Sequence, residues 1–460
     1  MKRQLIIDSG IFETRVALLE DNVLVEYVPV LPDAPAPGRL YRGQVLRVDP
    51  SLDGAFIEIG EALPGFLPRA GKRLHQGDLC LVEAKAIPTT PTKGIQLTDE
   101  IRLPGRYMVY CPVSPGIHVS RKLSTACQAE AADYARQRCT GDEGLIIRTE
   151  WNTLGDDRTP FDAELNRLRE EWAAIHERCR SSLRPGPLTE SPEIRDMCRA
   201  VLGDPEAEIV LNSPALLTGL RAERAALKEG AFIRDAEKDG TLIFDRYPID
   251  PVIERALKRK IWLRSGGFLV VDVTEAFTVY DVNSGKDTRK LSPEEKAFAV
   301  NREAVQAVLS HLRLCRIGGI ILVDLIDMKD TAHQAAILEM VREFGKHDPG
   351  QAHAEGITSL GILQLTRKRT GLPVASLMQE LCRSCQGCGH HRVPRVTEGE
   401  IRRNIARRQQ SGQAGGYRIT CSKEVQALIH QDPFFDSCRM ILETGGDFTI
   451  ESLHETAMER

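Results

Sequence analysis

Two carboxylates and an amide carry the first chemical suggestion in this sequence. In "FTVYDVNSGKDTRK", residues 277–290, an apolar alternation ends in Asp281 and Asn283, followed by Gly285 and a basic turn. Two apart on a strand, Asp281 and Asn283 point to one face. Asp324 stands toward the end of the apolar run "GGIILVDLIDM", where a central strand should emerge from its sheet. Ligands of open α/β sheets bind at such strand ends. Hard oxygen donors converging there suit Mg²⁺, which lowers the pKa of a bound water and neutralises charge on a phosphodiester oxygen. Asx residues also cap turns, so these residues alone leave a structural reading open. Asp327 is a secondary candidate, three residues past Asp324 and so expected to face away from it.

Three further groups have chemistry in their residue types. "GLIIRT" places Arg148 and Thr149 at a strand end, where a guanidinium fork and a hydroxyl would hold a phosphate; an ordinary solvated strand end has the same composition. Phe56 and Phe66 stand in "GAFIEIG" and "PGFLP", with Lys93 in "PTKGIQLT". These would stack bases and meet a backbone phosphate, or the two rings would fill a small core. Cys382 and Cys385 have CxxC spacing, two of the four ligands that tetrahedral zinc needs. The remaining ligands would come from a second chain, or from Cys388, His390 or His391. A redox CxxC should follow a strand and open a helix, which Gly387 and Gly389 disfavour.

The elements that must position these residues follow from hydrophobic periodicity. Residues 1–30 alternate as a hairpin or meander, and "PVLPDAPAPG" is a linker. Five short strands in 38–99, with turns at Asp49-Pro50, Asp53-Gly54 and Pro64-Gly65, predict a small closed OB-type barrel. Strands "RYMVYCP", "GIHVS" and "GLIIRTE" with helices over 124–139 and 161–182 follow, then a break at "RPGP". "AEIVLN" and "GTLIF" read as strands. From 266 to 365 the pattern is α/β: "GGFLVVDV" and "FTVYDVNS" as neighbouring strands, then a helix capped by Ser292-Pro293-Glu294-Glu295. That helix has Phe298, Val305, Val308, Leu309 and Leu312 on one side. "GGIILVD" reads as a strand buried on both faces, followed by a helix stopping at Gly345 and the strand "GILQLTRKR".

The 460 residues, 42% hydrophobic and 27% charged, are enough for several packed domains. No apolar run is long enough to span a membrane, and the N-terminus lacks a secretory signal, so a cytoplasmic location is expected. Most of the twelve cysteines are scattered singly, as buried thiols in a reducing compartment would be. The net charge of −4 confines any nucleic acid to local basic grooves. The Arg-rich "RVPRVTEGEIRRNIARRQQ" reads as a solvated helix face.

"VYDVNSGKDTR", "RIGGIILVDLIDM" and "LCRSCQGCG", in this order, resemble the ribonuclease E/G family of bacterial endoribonucleases. The resemblance extends to "MKRQLIID", "YRGQVLRVDPSLDGAFIEIG…GFLP", "GLIIRT" and "SGGFLVVDVTEAFTVYDVNS", so nearly the whole chain is involved. Ending at Arg460 without a long tail, the chain is similar to the short, ribonuclease G-like branch. The resemblance implies a multidomain α/β fold. An RNase H-like subdomain is split between 1–34 and 193–256. An S1-type OB-fold RNA-binding domain (35–99) and a 5′-sensor domain (100–192) are inserted between its parts. A DNase I-like catalytic subdomain (257–378), a zinc link (379–392) and a small C-terminal α/β domain (393–460) follow.

It further implies Mg²⁺ on Asp281 and Asp324, with Asn283 orienting the scissile phosphate or the attacking water. A 5′-monophosphate pocket of Arg148 and Thr149 is lined by backbone at Gly105 and Val109. Phe56, Phe66 and Lys93 become RNA contacts, and zinc on Cys382 and Cys385 is shared between two chains of a homodimer or higher oligomer. The implied role is cleavage of single-stranded RNA in rRNA maturation and mRNA decay. The alternatives are a non-catalytic RNA-binding protein that uses the barrel, and a DNA phosphodiesterase. Two departures from the family pattern stand out: Arg383 follows the first cysteine where a proline is usual, and Gln351 occupies the place of an expected arginine.

Overall fold

The computed structural model describes residues 2–31, 34–70, 73–88, 94–225, 227, 230–236, 243–285, 291–380, 393–411, 416–445 and 448–453. The chain divides into two compact units, Met1–Met378 and Gln379–Arg460. The first opens with an antiparallel meander of β1 (Arg3–Ser9), β2 (Thr14–Glu20) and β3 (Val23–Val30). β1 is covered on both faces, with Ile6 in one core and Leu5 and Ile7 in another.

The barrel strands follow as β4 (Leu40–Asp49), β5 (Gly54–Glu58), β6 (Gly65–Pro68), β7 (Leu79–Ala86) and β8 (Gln96–Thr98). They run in the order β4-β5-β6-β8-β7, and β7 pairs back onto β4. The closed OB-like barrel that the strand spacing predicts is therefore present, filled by Val45, Ala55, Ile57, Leu67, Val82 and Leu97.

Next come β9 (Leu103–Pro104), β10 (Met108–Cys111), β11 (Gly116–Val119), α1 (Thr125–Arg136), β12 (Gly144–Ile147) and α2 (Thr159–Ser181). Their sheet has the order β11-β12-β10-β9. After β13 (Gly186–Pro187), which lies on β4 at the site of the expected break, come α3 (Glu193–Leu202), β14 (Glu208–Leu211), α4 (Pro214–Ala225) and β15 (Phe232–Asp235). β14 returns to lie parallel to β1, so one sheet in the order β15-β14-β1-β2-β3 joins the start of the chain to residues 208–235. "GTLIF" does not give a strand where it is described: Ile243–Arg246 is a 3₁₀ turn with Ile243 and Phe244 buried.

The remaining elements of this unit are α5 (Ile249–Ala256), β16 (Lys260–Trp262), β17 (Phe268–Val273), β18 (Phe277–Asn283), α6 (Pro293–Leu314), β19 (Gly319–Asp324), α7 (Thr331–His347), β20 (His353–Ile357), β21 (Ile362–Arg367) and α8 (Val374–Met378). The sheet order is β16-β17-β18-β19-β21-β20, with β18 and β19 parallel. α6 starts at the expected capping box on Ser292. Its Val300, Ala304, Val305, Val308 and Leu312 share a core with Ile6, Tyr27, Tyr280 and Val323, which places the helix between this sheet and the N-terminal one. Arg313 adds a two-point contact to Glu20 at 3.0 and 2.8 Å.

Two expectations change here. β19 is not buried on both faces: Ile321 and Val323 are covered, whereas Ile320 is 46% exposed, because among the described residues no helix covers that side. α7 does not stop at Gly345 but runs through it. The glycine is there because a Cβ would stand 2.1 Å from the Ala352 carbonyl oxygen. Beyond α7, Arg367 grips Asp348 through two 2.8 Å bonds and donates to the Ile317 carbonyl. Burial pushes the Asp348 carboxyl up, but the Arg367 hydrogen bonds and charge hold it below the usual carboxylate range.

The second unit contains α9 (Pro394–Gln410), β22 (Gly416–Cys421), α10 (Lys423–Ile429), β23 (Met440–Thr444) and β24 (Thr449–Leu453). Its sheet has the order β23-β22-β24. The Arg-rich run forms α9, which buries Ile401 and Ile405 against Tyr417 and Ile419 and turns its arginines outward.

Candidate active site

The parallel ladder of β18 and β19 sets Tyr280 opposite Val323 and Asp281 opposite Asp324. Adjacent strands stand about 4.8 Å apart and paired residues share a face, so the two carboxylates lie side by side. Both are exposed, while Tyr280, Val282, Ile321 and Val323 are buried on the opposite, helix-covered face. Asn283 Nδ2 donates to Asp281 Oδ2 at 2.9 Å, fixing that carboxylate against rotation. Asp327 has left the strand and lies beside Gly361 in the β20–β21 turn.

Among the described residues, no group of three or more His, Cys, Asp or Glu side chains could hold a metal ion. The set here is two carboxylates and an amide. It fits Mg²⁺, which binds through one or two carboxylates plus substrate phosphates and keeps several waters.

The segment after Asp324 is held from α6 at two points. Asn301, fully buried, donates from Nδ2 to the Ile326 carbonyl at 2.7 Å and accepts from the Ile326 amide at 2.9 Å. At the start of the helix, Glu294 accepts from the Lys329 and Asp330 amides. Those amides hold the Glu294 carboxyl below the usual range. Reading residues by type misses Asn301. Its signal is an amide lying on the apolar stripe of Phe298, Val305 and Val308 at helical spacing. Under β18, His311 bridges the Tyr280 hydroxyl and the Ala256 carbonyl, both at 2.8 Å; burial lowers its pKa.

Arg148 and Thr149 emerge at the end of β12. Arg148 Nη1 donates to the Gly105 carbonyl at 2.8 Å, in the turn between β9 and β10. Glu164 of α2 clamps that turn by accepting from the Arg106 and Tyr107 amides at 2.7 and 2.8 Å. A Cβ on Gly105 would strike the Glu164 carboxyl at 2.6 Å. Val109 lies opposite Ile146, two residues before Arg148. The structure thus brings Arg148 to the Gly105 carbonyl, with Val109 on the adjoining strand, whereas the Thr149 hydroxyl donates to Glu150 at 3.4 Å.

On the barrel, Phe56 and Phe66 pair across β5 and β6 with ring centroids 5.4 Å apart, and the Arg47 guanidinium lies 4.3 Å from the Phe56 centroid. Neither ring belongs to the barrel core: Ala55, Ile57 and Leu67 point inward and the phenylalanines outward. Lys93 lies outside the described residues.

The sequence model of the ribonuclease E/G family matches residues 102–370. The chain belongs to that family. It is 31% identical over 396 residues to ribonuclease E of Nostoc sp. (strain PCC 7120), covering 79% of this chain and 56% of that protein. It is 29% identical over 439 residues to ribonuclease G of Escherichia coli K12, covering 88% of each. Ribonuclease E of Synechocystis sp. is 30% identical over 380 residues, 77% of this chain and 55% of the relative. The chain therefore spans a little over half the length of these two ribonuclease E relatives and most of ribonuclease G.

Gln351, the residue expected to stand in place of an arginine, lies between α7 and β20. That residue sits at φ +52° and accepts from Lys368 Nζ at 2.5 Å. Cys382, Cys385, Cys388, His390 and His391 lie outside the described residues. Of the other cysteines, Cys111, Cys198, Cys315 and Cys421 are buried, and Cys80, Cys127, Cys139, Cys179 and Cys438 are partly exposed. Among the described residues, no helix is long and apolar enough to cross a membrane.

Proposed function

We propose that the chain is a Mg²⁺-dependent endoribonuclease that hydrolyses single-stranded RNA at Asp281 and Asp324. The observation that carries this reading is the ladder register, which sets the two carboxylates next to each other on an open sheet face. A divalent ion held there supplies an acidified water and charge neutralisation at a phosphodiester. Asp281 and Asp324 would hold the ion, and Asn283, whose amide donates to the Asp281 carboxylate, would orient the scissile phosphate or the attacking water. Asn301 and Glu294 fix the backbone beyond Asp324, so the pair is set before substrate arrives. Products would carry a 5′-phosphate and a 3′-hydroxyl. An exposed face admits an unpaired, splayed backbone, in keeping with single-strand selection.

Arg148 and Thr149, with backbone at Gly105 and Val109, would hold a 5′-monophosphate; Gln351 in place of an arginine would weaken that preference. Phe56, Phe66 and Lys93 would carry RNA across the barrel. The domain division is that expected from the resemblance: RNase H-like (1–34 and 193–256), S1-type (35–99), 5′-sensor (100–192), DNase I-like (257–378), zinc link (379–392) and C-terminal domain (393–460). Zinc on Cys382 and Cys385 would join two chains, and the setting would be rRNA maturation and mRNA decay in the cytoplasm.

The outward Phe56, Phe66 and Arg47 cluster also supports a second reading, an RNA-binding protein without catalysis. Incubating the chain with a 5′-monophosphorylated single-stranded RNA, with Mg²⁺ or with a chelator, separates the two. Mg²⁺-dependent internal cleavage with the stated product ends supports the nuclease. Binding without cleavage supports the alternative, and an equal rate on the deoxyribose oligonucleotide would make it a DNA phosphodiesterase.

A further inference from the structure

The sheet face that carries the carboxylates continues past them to an aromatic surface with no part in the reading above. β16, β17 and β18 are antiparallel, and their register aligns Trp262 with Phe268 and Asn283, and Lys260 with Val270 and Asp281. Residues so aligned share one face, so Lys260, Trp262, Phe268, Asp281, Asn283 and Asp324 stand on a single surface. At about 4.8 Å per strand, Trp262 lies roughly 10 Å from Asn283 and Lys260 roughly 14 Å from Asp324.

Of the three tryptophans in the chain, Trp151 is fully buried whereas Trp262 is 66% exposed. Its ring centroid is 5.4 Å from that of Phe268, and Lys260 Nζ lies 4.1 Å from the one centroid and 3.6 Å from the other. The one acid on the β17 part of this face, Asp272, is neutralised by a two-point contact with Arg259 at 2.6 and 2.9 Å. On β16 and β17 the surface therefore presents aromatic rings and an ammonium, and its free carboxylates are those of Asp281 and Asp324 on the neighbouring strands.

It is also rigid. Gly266, at φ +88°, turns the β16–β17 hairpin, and a Cβ on Gly285 would stand 2.2 Å from the Gly266 carbonyl oxygen. The hairpin is thus locked backbone-to-backbone against the end of the strand that bears Asp281. Glu303 of α6 accepts from the Ser265 amide at the tip.

We propose that Trp262, Phe268 and Lys260 form a subsite for one nucleotide of the RNA strand, flanking the scissile phosphate: the rings stack its base and the ammonium meets its phosphate. The inference rests on the nuclease reading for its orientation. The occupant is single-stranded nucleic acid rather than a second protein, because the surface is continuous with the carboxylates and interleaves rings with charge. Exposed rings beside a cation are the means by which single strands are held without regard to sequence.

The test measures equilibrium binding of a single-stranded RNA in chelator, which needs no catalysis, and then cleavage in Mg²⁺. It compares wild type, Trp262→Ala and Trp262→Tyr, with melting temperatures taken for each. Trp262→Ala should weaken binding by about 5- to 150-fold, the range for losing one stacked base, with Trp262→Tyr close to wild type. In cleavage the loss should fall on KM, with kcat at saturating RNA little changed. An abasic nucleotide walked along the strand should cost wild type at one position near the cut and cost Trp262→Ala nothing more there.

Unchanged RNA affinity in Trp262→Ala overturns the subsite, as does an equal loss in Trp262→Tyr. Unchanged affinity with a shift in oligomeric state by light scattering assigns the face to a second copy instead. If wild type binds RNA through Trp262 but never cuts it, the nuclease reading falls and the stacking surface stands.

Discussion

Replacing Asn301 with leucine, nearly the same size, removes both of its bonds to Ile326 while leaving the space filled. The Ile326 amide and carbonyl, bonded at 2.9 and 2.7 Å in the native chain, then lose their partners. Each buried unpaired group costs about 1–3 kcal/mol, so the variant should lose about 2–6 kcal/mol against a usual domain stability of about 5–15 kcal/mol. Asp324 is two residues upstream, so its placement should slip as well, and about 1 Å of misplacement lowers rates roughly 10²-fold. Urea unfolding measures the first effect. Single-turnover cleavage of a 5′-labelled single-stranded RNA, at a temperature where the variant is still folded, measures the second. Asn301→Asp keeps an acceptor for the Ile326 amide but sets a carboxylate at a fully buried position facing the Ile326 carbonyl, and should be destabilised at least as much. An Asn301→Leu chain with wild-type stability and rate would show that the segment after Asp324 does not depend on α6.

Three other outcomes follow from the geometry. Arg367→Met leaves Asp348 charged and buried, and should cost about 3–5 kcal/mol by urea unfolding; a loss below 1 kcal/mol would contradict the pairing. Burial holds His311 neutral and lowers its pKa, so the unfolded chain takes up a proton that the folded chain refuses as pH falls below about 6.5. Thermal stability should decline with pH from that point downward, more steeply than in His311→Gln, and parallel curves would remove His311 as the cause. Phe56→Ala should weaken RNA binding by about 1–3 kcal/mol in a filter or anisotropy assay while cleavage at saturating RNA persists; undiminished affinity would return the barrel rings to a structural role.

Alternation makes much of this fold legible in the sequence. The barrel strands β5 and β6 follow the period of two, whereas β1–β3 each carry a run of four buried residues, and Ser292 with Glu295 marks the start of α6 because the capping box is a local device. Other features depend on neighbours distant in the chain. Ile243 and Phe244 form a short apolar run that fits a strand or a buried turn equally well. Gly345 reads as a helix end, yet its absent side chain makes room for Ala352. The run "GGIILVD" reads as buried on both faces, and only the arrangement of helices shows that Ile320 and Leu322 look outward.

In the candidate site, Asp281, Asn283 and Asp324 stand out by residue type at strand ends, and their adjacency follows from the parallel register of β18 and β19. Asn301 is harder to see because its partner is backbone, which no motif records. Phe268 reads simply as a strand aromatic and Trp262 falls in no expected element, since nothing local says which face a helix covers.

The central claim is that Asp281 and Asp324 act together on a phosphodiester. Single-turnover cleavage of a 5′-monophosphorylated single-stranded RNA in Mg²⁺ tests it, with wild type beside Asp281→Asn and Asp324→Asn and RNA affinity measured in parallel. The account predicts cutting by wild type and losses of at least about 10²-fold in each variant, with affinity nearly unchanged. Cleavage by either variant at the wild-type rate would contradict it.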